Sequence, residues 1–143
     1  MRRLLVSVAA LIAGLAVAGA ASAQAQGTYF IYNQTGVKLS LEANTFAART
    51  KFQDTIDSGQ TGMGEVTQTN GRSVHTGSFT YVGPNKMGCI FTTTMILSSK
   101  GVWSFRFTAT PYGENTTAVC TFEPTSTNAS TGRYYADAKV SGL

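Results

Sequence analysis

Residues 89–109 have the sequence CIFTTTMILSSKGVWSFRFTA, and this stretch decides the fold class. Apolar and polar residues alternate on both sides of the central SSKG, as they do in two half-buried β-strands joined by a turn. The side chains that share the buried face of this hairpin are Cys89, Phe91, Met95, Leu97, Trp103, Phe105 and Phe107. The sequence therefore predicts an antiparallel hairpin at the centre of a hydrophobic core.

The rest of the chain after residue 26 has the same character. Thr, Val, Phe, Tyr and Ile dominate, Gly or Asn recurs at short intervals, and helical periodicity is lacking. Asn70-Gly71 is the strongest turn signal, and it predicts a hairpin between strands over residues 65–69 and 74–82. We predict one all-β domain over residues 24–143, an antiparallel β-sandwich of about seven to nine strands.

Residues 1–23 have the pattern of a secretory signal peptide. Met1-Arg2-Arg3 is basic, residues 4–18 are apolar, and Ala21-Ser22-Ala23 matches the small-residue cleavage site. A second site, Ala23-Gln24-Ala25, allows cleavage two residues later. A membrane anchor is the weaker interpretation because the apolar run is short for a bilayer. We expect cleavage near Ala23 and a secreted or periplasmic protein.

The charge of the chain does not indicate a nucleic-acid partner. The full chain has 11 basic and 7 acidic residues, a net charge of +4. Loss of Arg2 and Arg3 with the signal lowers the net charge from +4 to +2. The basic isoelectric point is thus partly a property of the signal peptide.

Cys89 and Cys120 are predicted to form a disulfide, because an exported chain folds in an oxidising compartment. The sequence leaves open whether this bond joins strands within one sheet or links two sheets. A free buried thiol and a reactive thiol are the alternatives. A redox role is disfavoured since neither cysteine has a nearby His or a C-x-x-C partner.

The sequence predicts no catalytic centre, cofactor or metal site. His75 is the one histidine, and its strand-like surroundings favour a structural role over that of a hydrolase base. Asp54 and Asp57 lie close together in a loop and give a weak hint of calcium binding. The sequence contains no G-x-G-x-x-G, P-loop or H-E-x-x-H motif. We therefore expect a protein without enzymatic activity.

Tyrosines in or beside polar loops are the candidate binding residues. Tyr112, Tyr134 and Tyr135 combine an apolar ring with a polar tip, which suits membrane interfaces and sugar or headgroup sites. Lys100 and Arg133 add attraction for anionic groups. The alternative is that these tyrosines only cover the ends of the sandwich. We predict that the five residues bind a membrane lipid headgroup, a glycan or a cell surface.

A second function remains open on the same residues. Small exported chains that lack catalytic motifs also serve as periplasmic or extracellular protein-binding modules, such as inhibitors, immunity proteins or assembly subunits. In that case the partner protein would contact strand edges and the loops over residues 110–117 and 124–132.

Several short motifs resemble those of the aegerolysin and actinoporin-like β-sandwich group. They are Asn33-Gln34-Thr35-Gly36 followed by residues 37–41, then residues 56–62 (IDSGQTG), residues 77–81 (GSFTY) and residues 111–115 (PYGEN). The resemblance spans most of residues 28–140. It implies a secreted or surface-acting β-sandwich that binds membrane lipids. Some members of the group form pores alone or with a partner, so the resemblance also allows a cytolysin-like component. Residues 24–28 leave no room for the amphipathic N-terminal helix of actinoporins, so we do not expect a pore from this chain alone.

Overall fold

The structure, a computed structural model, describes residues 24–69 and 71–143, and these residues form β-strands and no helix. The ten strands are β1 (Gln26–Asn33), β2 (Leu39–Asn44), β3 (Arg49–Phe52), β4 (Thr55–Ile56), β5 (Thr61–Thr67), β6 (Val74–Val82), β7 (Gly88–Leu97), β8 (Trp103–Tyr112), β9 (Val119–Asn128) and β10 (Arg133–Ser141). Sheet A has the order β3-β5-β1-β10-β9, and sheet B has the order β4-β2-β6-β7-β8. The predicted β-sandwich is confirmed. The strand count exceeds the prediction because β3 and β4 form within the irregular residues 43–64.

The hairpin of residues 89–109 forms as predicted. It consists of β7 and β8, which pair in antiparallel register with Leu97 opposite Trp103. The N–H of Gly101 donates to the Ser98 carbonyl over 3.0 Å and closes the turn. The inward-facing residues of β7 are buried, whereas Phe105 and Phe107 on β8 are half-buried. This difference follows from position, because β8 is an edge strand of sheet B.

The hairpin predicted around Asn70-Gly71 does not form. β5 pairs with β1 and β3 in sheet A, whereas β6 pairs with β2 and β7 in sheet B. Asn70 itself lies outside the described residues, and Gly71 has a φ of 62°. The segment between β5 and β6 therefore carries the chain from one sheet to the other. A turn dipeptide in the sequence predicts a turn and does not specify which sheet the next strand joins.

Sheet A contains one pair of parallel strands at its centre. β1 and β10 run in the same direction, with Thr28 opposite Tyr135 and Asn33 opposite Val140. A parallel pair requires a long connection, and here the connection includes all of sheet B. The remaining strand pairs are antiparallel.

The core between the sheets is a stack of aromatic rings. Phe79 on β6 lies at the centre, with its ring centroid 4.9 Å from that of Tyr29 and 5.2 Å from that of Phe91. Phe122 on β9 completes the group, with its centroid 5.3 Å from that of Phe91. Offset and edge-on contacts of this kind add stability beyond the burial of apolar area. Burial of these rings drives the sheets together.

The predicted disulfide joins Cys89 on β7 to Cys120 on β9, with the two Cα atoms 5.8 Å apart. Since β7 belongs to sheet B and β9 to sheet A, the bond links the two sheets. Cys89 is fully buried. The bond thus fastens the sandwich on the side where the edge strands β8 and β9 approach each other.

The predicted signal peptide and its cleavage sites, up to residue 23, lie outside the described residues. No helix within residues 24–69 and 71–143 is long and apolar enough to cross a membrane.

Candidate functional site

The structure does not bring the five predicted binding residues into one site. Lys100 lies in the turn that precedes β8, and Tyr112 is the last residue of that strand. Ten residues of β-strand span about 30 Å, so these two side chains lie at opposite ends of the sandwich. We refer to the Lys100 end, formed by residues 68–69, 71–74, 98–102 and 129–133, and to the Tyr112 end, formed by residues 83–87 and 112–115.

Tyr134 is a core residue, and its predicted surface position is wrong. The side chain is 0% exposed and points between the sheets, where its hydroxyl hydrogen-bonds with that of Tyr29. The Tyr29 hydroxyl also lies 3.1 Å from the Thr93 hydroxyl across the core. Burial raises the pKa of Tyr134 to about 12 and raises that of Tyr29 well above its usual value. Both hydroxyls are therefore neutral hydrogen-bonding groups of the core.

Tyr135 lies on the opposite face of the same strand, because adjacent residues of a strand point in opposite directions. Its side chain is 38% exposed on the outer surface of sheet A. Arg133, two residues earlier, shares this face, and its guanidinium donates to the Gln26 side-chain oxygen over 3.2 Å. Lys100, Arg133 and Tyr135 thus lie at or near the Lys100 end.

Backbone hydrogen bonds hold the segments of the Lys100 end together. The N–H of Trp103 donates to the Ala129 carbonyl over 2.7 Å, and the N–H of Leu97 donates to the Ser73 carbonyl over 2.7 Å. The N–H of Gln26 donates to the Gly132 carbonyl over 3.2 Å. Segments from both sheets therefore form one continuous surface.

Three exposed apolar side chains adjoin one another on sheet B at this end. Val74 and Ile96 are direct cross-strand neighbours, and they are 53% and 47% exposed. Ile96 also faces Ser104, which puts Val102, 50% exposed, at the diagonal position. We call Val74, Ile96 and Val102 the apolar patch. Adjoining exposed apolar residues mark interaction sites more often than scattered ones do.

The alternation of side chains in the sequence is enough to predict that two members of this patch face solvent. Residues 89–97 bury their odd-numbered side chains, so Ile96 has to face outward. Trp103 is buried in the next strand, so its neighbour Val102 has to face outward as well. The register between Val74 and Ile96 depends on long-range pairing, so periodicity alone does not reveal that they adjoin.

The chain segments that form this end are basic and lack acidic residues. Residues 66–113 and 124–136 contain no Asp or Glu. The basic side chains that these segments contribute at or near the Lys100 end are Arg72, Lys100, Arg106 and Arg133. An end that carries an apolar patch and basic side chains, in segments without carboxylates, has the chemistry to contact an anionic amphiphilic surface.

His75 lies beneath the apolar patch, and the geometry does not favour a catalytic role. Its imidazole is buried and stacks on the Trp103 ring, with centroids 5.7 Å apart and planes inclined by 29°. Burial lowers the pKa of His75, the Arg72 charge lowers it further, and a hydrogen bond with the Arg72 backbone raises it. The indole N–H of Trp103 is buried and has no hydrogen-bond partner among the described residues.

The loop acids do not form a cation site. The Asp57 carboxylate pairs with the Lys38 ammonium over 2.9 Å at the surface. In the part of the chain that the structure describes, no group of three or more His, Cys, Asp or Glu residues is placed to hold a metal ion. The hint of calcium binding from Asp54 and Asp57 therefore finds no support.

The Tyr112 end has two adjoining depressions. One, of about 280 Å³, is lined mainly by apolar side chains, including Val37, Pro84, Met87 and Leu143. The other, of about 720 Å³, lies between the turn over residues 83–87 and the loop after β8. Asn85 and Met87 line both. We call the larger depression the Tyr112 groove.

Comparison with solved structures supports the fold. RahU, from a crystal structure of its complex with a TRIS molecule, gives a TM-score of 0.52 at 12% identity over 85% of this chain and 96% of that chain. Nakanori, described as a lipid binding protein, gives a TM-score of 0.53 at 12% identity over 81% of this chain and 70% of that chain. RahU is an aegerolysin-family protein. The resemblance to that group holds for the fold.

Comparison at the level of sequence adds no relative. No family model matches the chain, and no curated protein matches it either.

Proposed function

We propose that this protein binds the surface of lipid membranes and that the Lys100 end makes the contact. The observation that carries the proposal is the apolar patch of Val74, Ile96 and Val102 on an end that lacks acidic residues. Exposed apolar side chains gain free energy when they enter the interfacial region of a bilayer, at about 25 cal/mol per Å² of apolar area buried.

The basic residues of the Lys100 end also favour an orientation with this end against the membrane. Lys100 lies two residues from Val102 in the turn beside the patch, and Arg133 lies on the outer face of sheet A at the same end. Each basic residue near an anionic membrane contributes about 1 kcal/mol. Tyr135 adds a half-exposed aromatic ring, a residue type enriched at membrane interfaces. A lipid-binding role also agrees with the description of Nakanori, a lipid binding protein that shares the fold.

We also propose export, to the periplasm or outside the cell. The composition of residues 1–23 supports it, as does the disulfide, because such bonds persist in oxidising compartments. A cytolysin-like role, in which membrane binding precedes pore formation with a partner, rests on the resemblance to aegerolysins.

The test is co-sedimentation of the purified protein with vesicles of phosphatidylcholine alone and of phosphatidylcholine with phosphatidylserine, at low and high salt. The triple change Val74→Ser, Ile96→Ser and Val102→Ser should reduce binding to both vesicles at least tenfold. The matched control is Val119→Ser, which alters an equally exposed valine, 57% exposed, on β9. If the control loses as much binding as the triple variant, the assigned surface is wrong.

Substitution of charged residues separates the electrostatic contribution to membrane binding from the contribution of the apolar patch. Lys100→Gln with Arg133→Gln should weaken binding to the anionic vesicles at low salt and have little effect at high salt, because salt screens exposed charges. Lys38→Gln removes one cation at the opposite end and should leave binding unchanged. Failure of the wild-type protein to bind either vesicle would overturn the proposal and favour a protein-binding module.

A further inference from the structure

The Tyr112 groove is a second concave site, at the end of the molecule opposite the proposed membrane contact. Its volume of about 720 Å³ falls within the range of about 300–1,000 Å³ for small-molecule sites. It lies where the last residue of β8, Tyr112, pairs with the first residue of β7, Gly88. The ring of Tyr112 is 36% exposed and lines one wall.

Two loops are locked together to form the groove. Gly113 has a φ of 105°, and a side chain there would meet the Lys86 carbonyl oxygen at 2.6 Å, so the backbones are in close contact. Lys86 and Asn115, with φ of 58° and 51°, are the two non-glycine residues in the left-handed region among the described residues. Such conformations persist where the surrounding structure holds them. The groove walls are therefore fixed before a ligand arrives.

The polar side chains that line the groove have hydrogen-bonding capacity to spare. Within residues 24–69 and 71–143, the side chains of Asn85, Tyr112, Glu114 and Asn115 have no hydrogen-bond partner. Lys86 instead donates to the Glu42 carboxylate over 2.7 Å. Amides offer both donors and acceptors, whereas a carboxylate only accepts. A ligand with several hydroxyl groups matches this set because each hydroxyl both donates and accepts.

The charge of the groove argues against an anionic ligand. Lys86 is already paired with Glu42, and Glu114 adds a further negative charge. An anionic headgroup or phosphate would meet net repulsion there, in contrast to the Lys100 end. A neutral ligand with one apolar face, able to stack on the Tyr112 ring, suffers no such penalty.

We propose that the Tyr112 groove binds a neutral saccharide, with a ring face on Tyr112 and hydroxyls on Asn85, Glu114 and Asn115. The adjoining depression of about 280 Å³, with Val37, Pro84, Met87 and Leu143 in its lining, takes an apolar substituent of the sugar. An acetamido group fits both parts, because its methyl enters the apolar depression while its amide stays beside Asn85. The site is separate from the membrane contact and does not depend on it.

The test is titration of the purified protein, followed by amide chemical shifts and calorimetry, with N,N′-diacetylchitobiose and with cellobiose. N,N′-diacetylchitobiose carries acetamido groups, and cellobiose lacks them. We expect shifts at residues 83–87 and 112–115 with the acetylated sugar, and at least tenfold weaker binding of cellobiose. Equal affinity for the two sugars would overturn the assignment of the apolar depression.

Single substitutions test whether the saccharide binds in the Tyr112 groove, and a conservative substitution does so without disturbing the fold. Tyr112→Ala and Glu114→Gln should each weaken binding of the acetylated disaccharide at least tenfold, and the Glu114 change is mild enough to preserve the fold. Tyr135→Ala is the matched control, because that tyrosine is 38% exposed and lies outside the groove. Equal loss in the control, or no binding of either sugar by the wild-type protein, would overturn the proposal.

Discussion

The hydroxyl of Tyr29 on β1 hydrogen-bonds with that of Tyr134 on the parallel neighbour β10, among the aromatic rings of the core. Thr93 on β7 extends this contact across to the second sheet. Removal of one member of a buried hydrogen-bonded group leaves its partners unsatisfied, at a cost of about 1–3 kcal/mol each. This small polar cluster therefore helps to fix how the two sheets face each other.

The first prediction concerns this cluster. Tyr134→Phe should lower the free energy of unfolding by about 1–3 kcal/mol, and Tyr134→Ala should lower it by about 3–5 kcal/mol because it also leaves a cavity. Urea denaturation followed by tryptophan fluorescence measures both. Tyr135→Phe, on the outer face, is the control and should change stability by less than about 0.5 kcal/mol. Similar stability of Tyr134→Ala and wild type would contradict the burial described above.

The second prediction concerns the disulfide between the sheets. The residues it joins are separated by 31 positions, and closure of a loop of that size stabilises a protein by about 3–4 kcal/mol. Cys89→Ala with Cys120→Ala should lower the free energy of unfolding by that amount, and reductant should have the same effect on the wild type. Reductant should not affect the double variant. A wild-type protein whose Tm is unchanged by reductant would show that the bond contributes nothing.

The third prediction concerns pH. The folded protein holds His75 with a lowered pKa, so the unfolded chain binds the proton more readily than the folded one. Stability conferred by the neutral imidazole is present above about pH 6.5, the usual pKa of histidine, and declines as the pH falls below it. The range from pH 7.5 to 5.5 brackets the usual pKa of histidine.

Thermal unfolding between those limits measures the effect. The Tm of the wild type should fall on acidification, whereas that of His75→Gln should stay nearly constant over the same range. Parallel loss of Tm in both proteins would assign the pH dependence to other groups. Because His75 lies beneath Val74, acidification should also loosen the apolar patch.

Alternation of side chains was enough to predict the central hairpin and its buried face. It failed for β5 and β6, because Asn70-Gly71 specifies a change of direction and not the sheet that the next strand joins. The predicted number of strands is lower than the observed ten for a related reason. β3 and β4 are held by pairing with β5 and β2, respectively, and short strands of this kind have little periodicity of their own.

The candidate sites were predicted less completely, and Tyr134 and Tyr135 show why. A polar loop precedes both residues, and a shift of one position in the start of β10 exchanges the buried and exposed residue. Lys100 and Arg133 lie at the same end because of long-range contacts such as that of Trp103 with Ala129, which side-chain alternation does not predict. The pairing of Lys86 with Glu42 and the meeting of the two groove loops likewise depend on tertiary structure.

The parallel pairing of β1 with β10 has a consequence for how the chain reaches this fold. β1 occupies the middle of sheet A, yet one of its two neighbours, β10, is not available for pairing until residues 133–141 have emerged from the ribosome. A nascent chain therefore exposes one side of β1 throughout synthesis, and sheet A closes only after β10 emerges. Closure across so much intervening chain carries an entropic cost, and non-local pairing of this kind slows folding. The unpaired side of β1 therefore stays open to aggregation until β10 pairs with it.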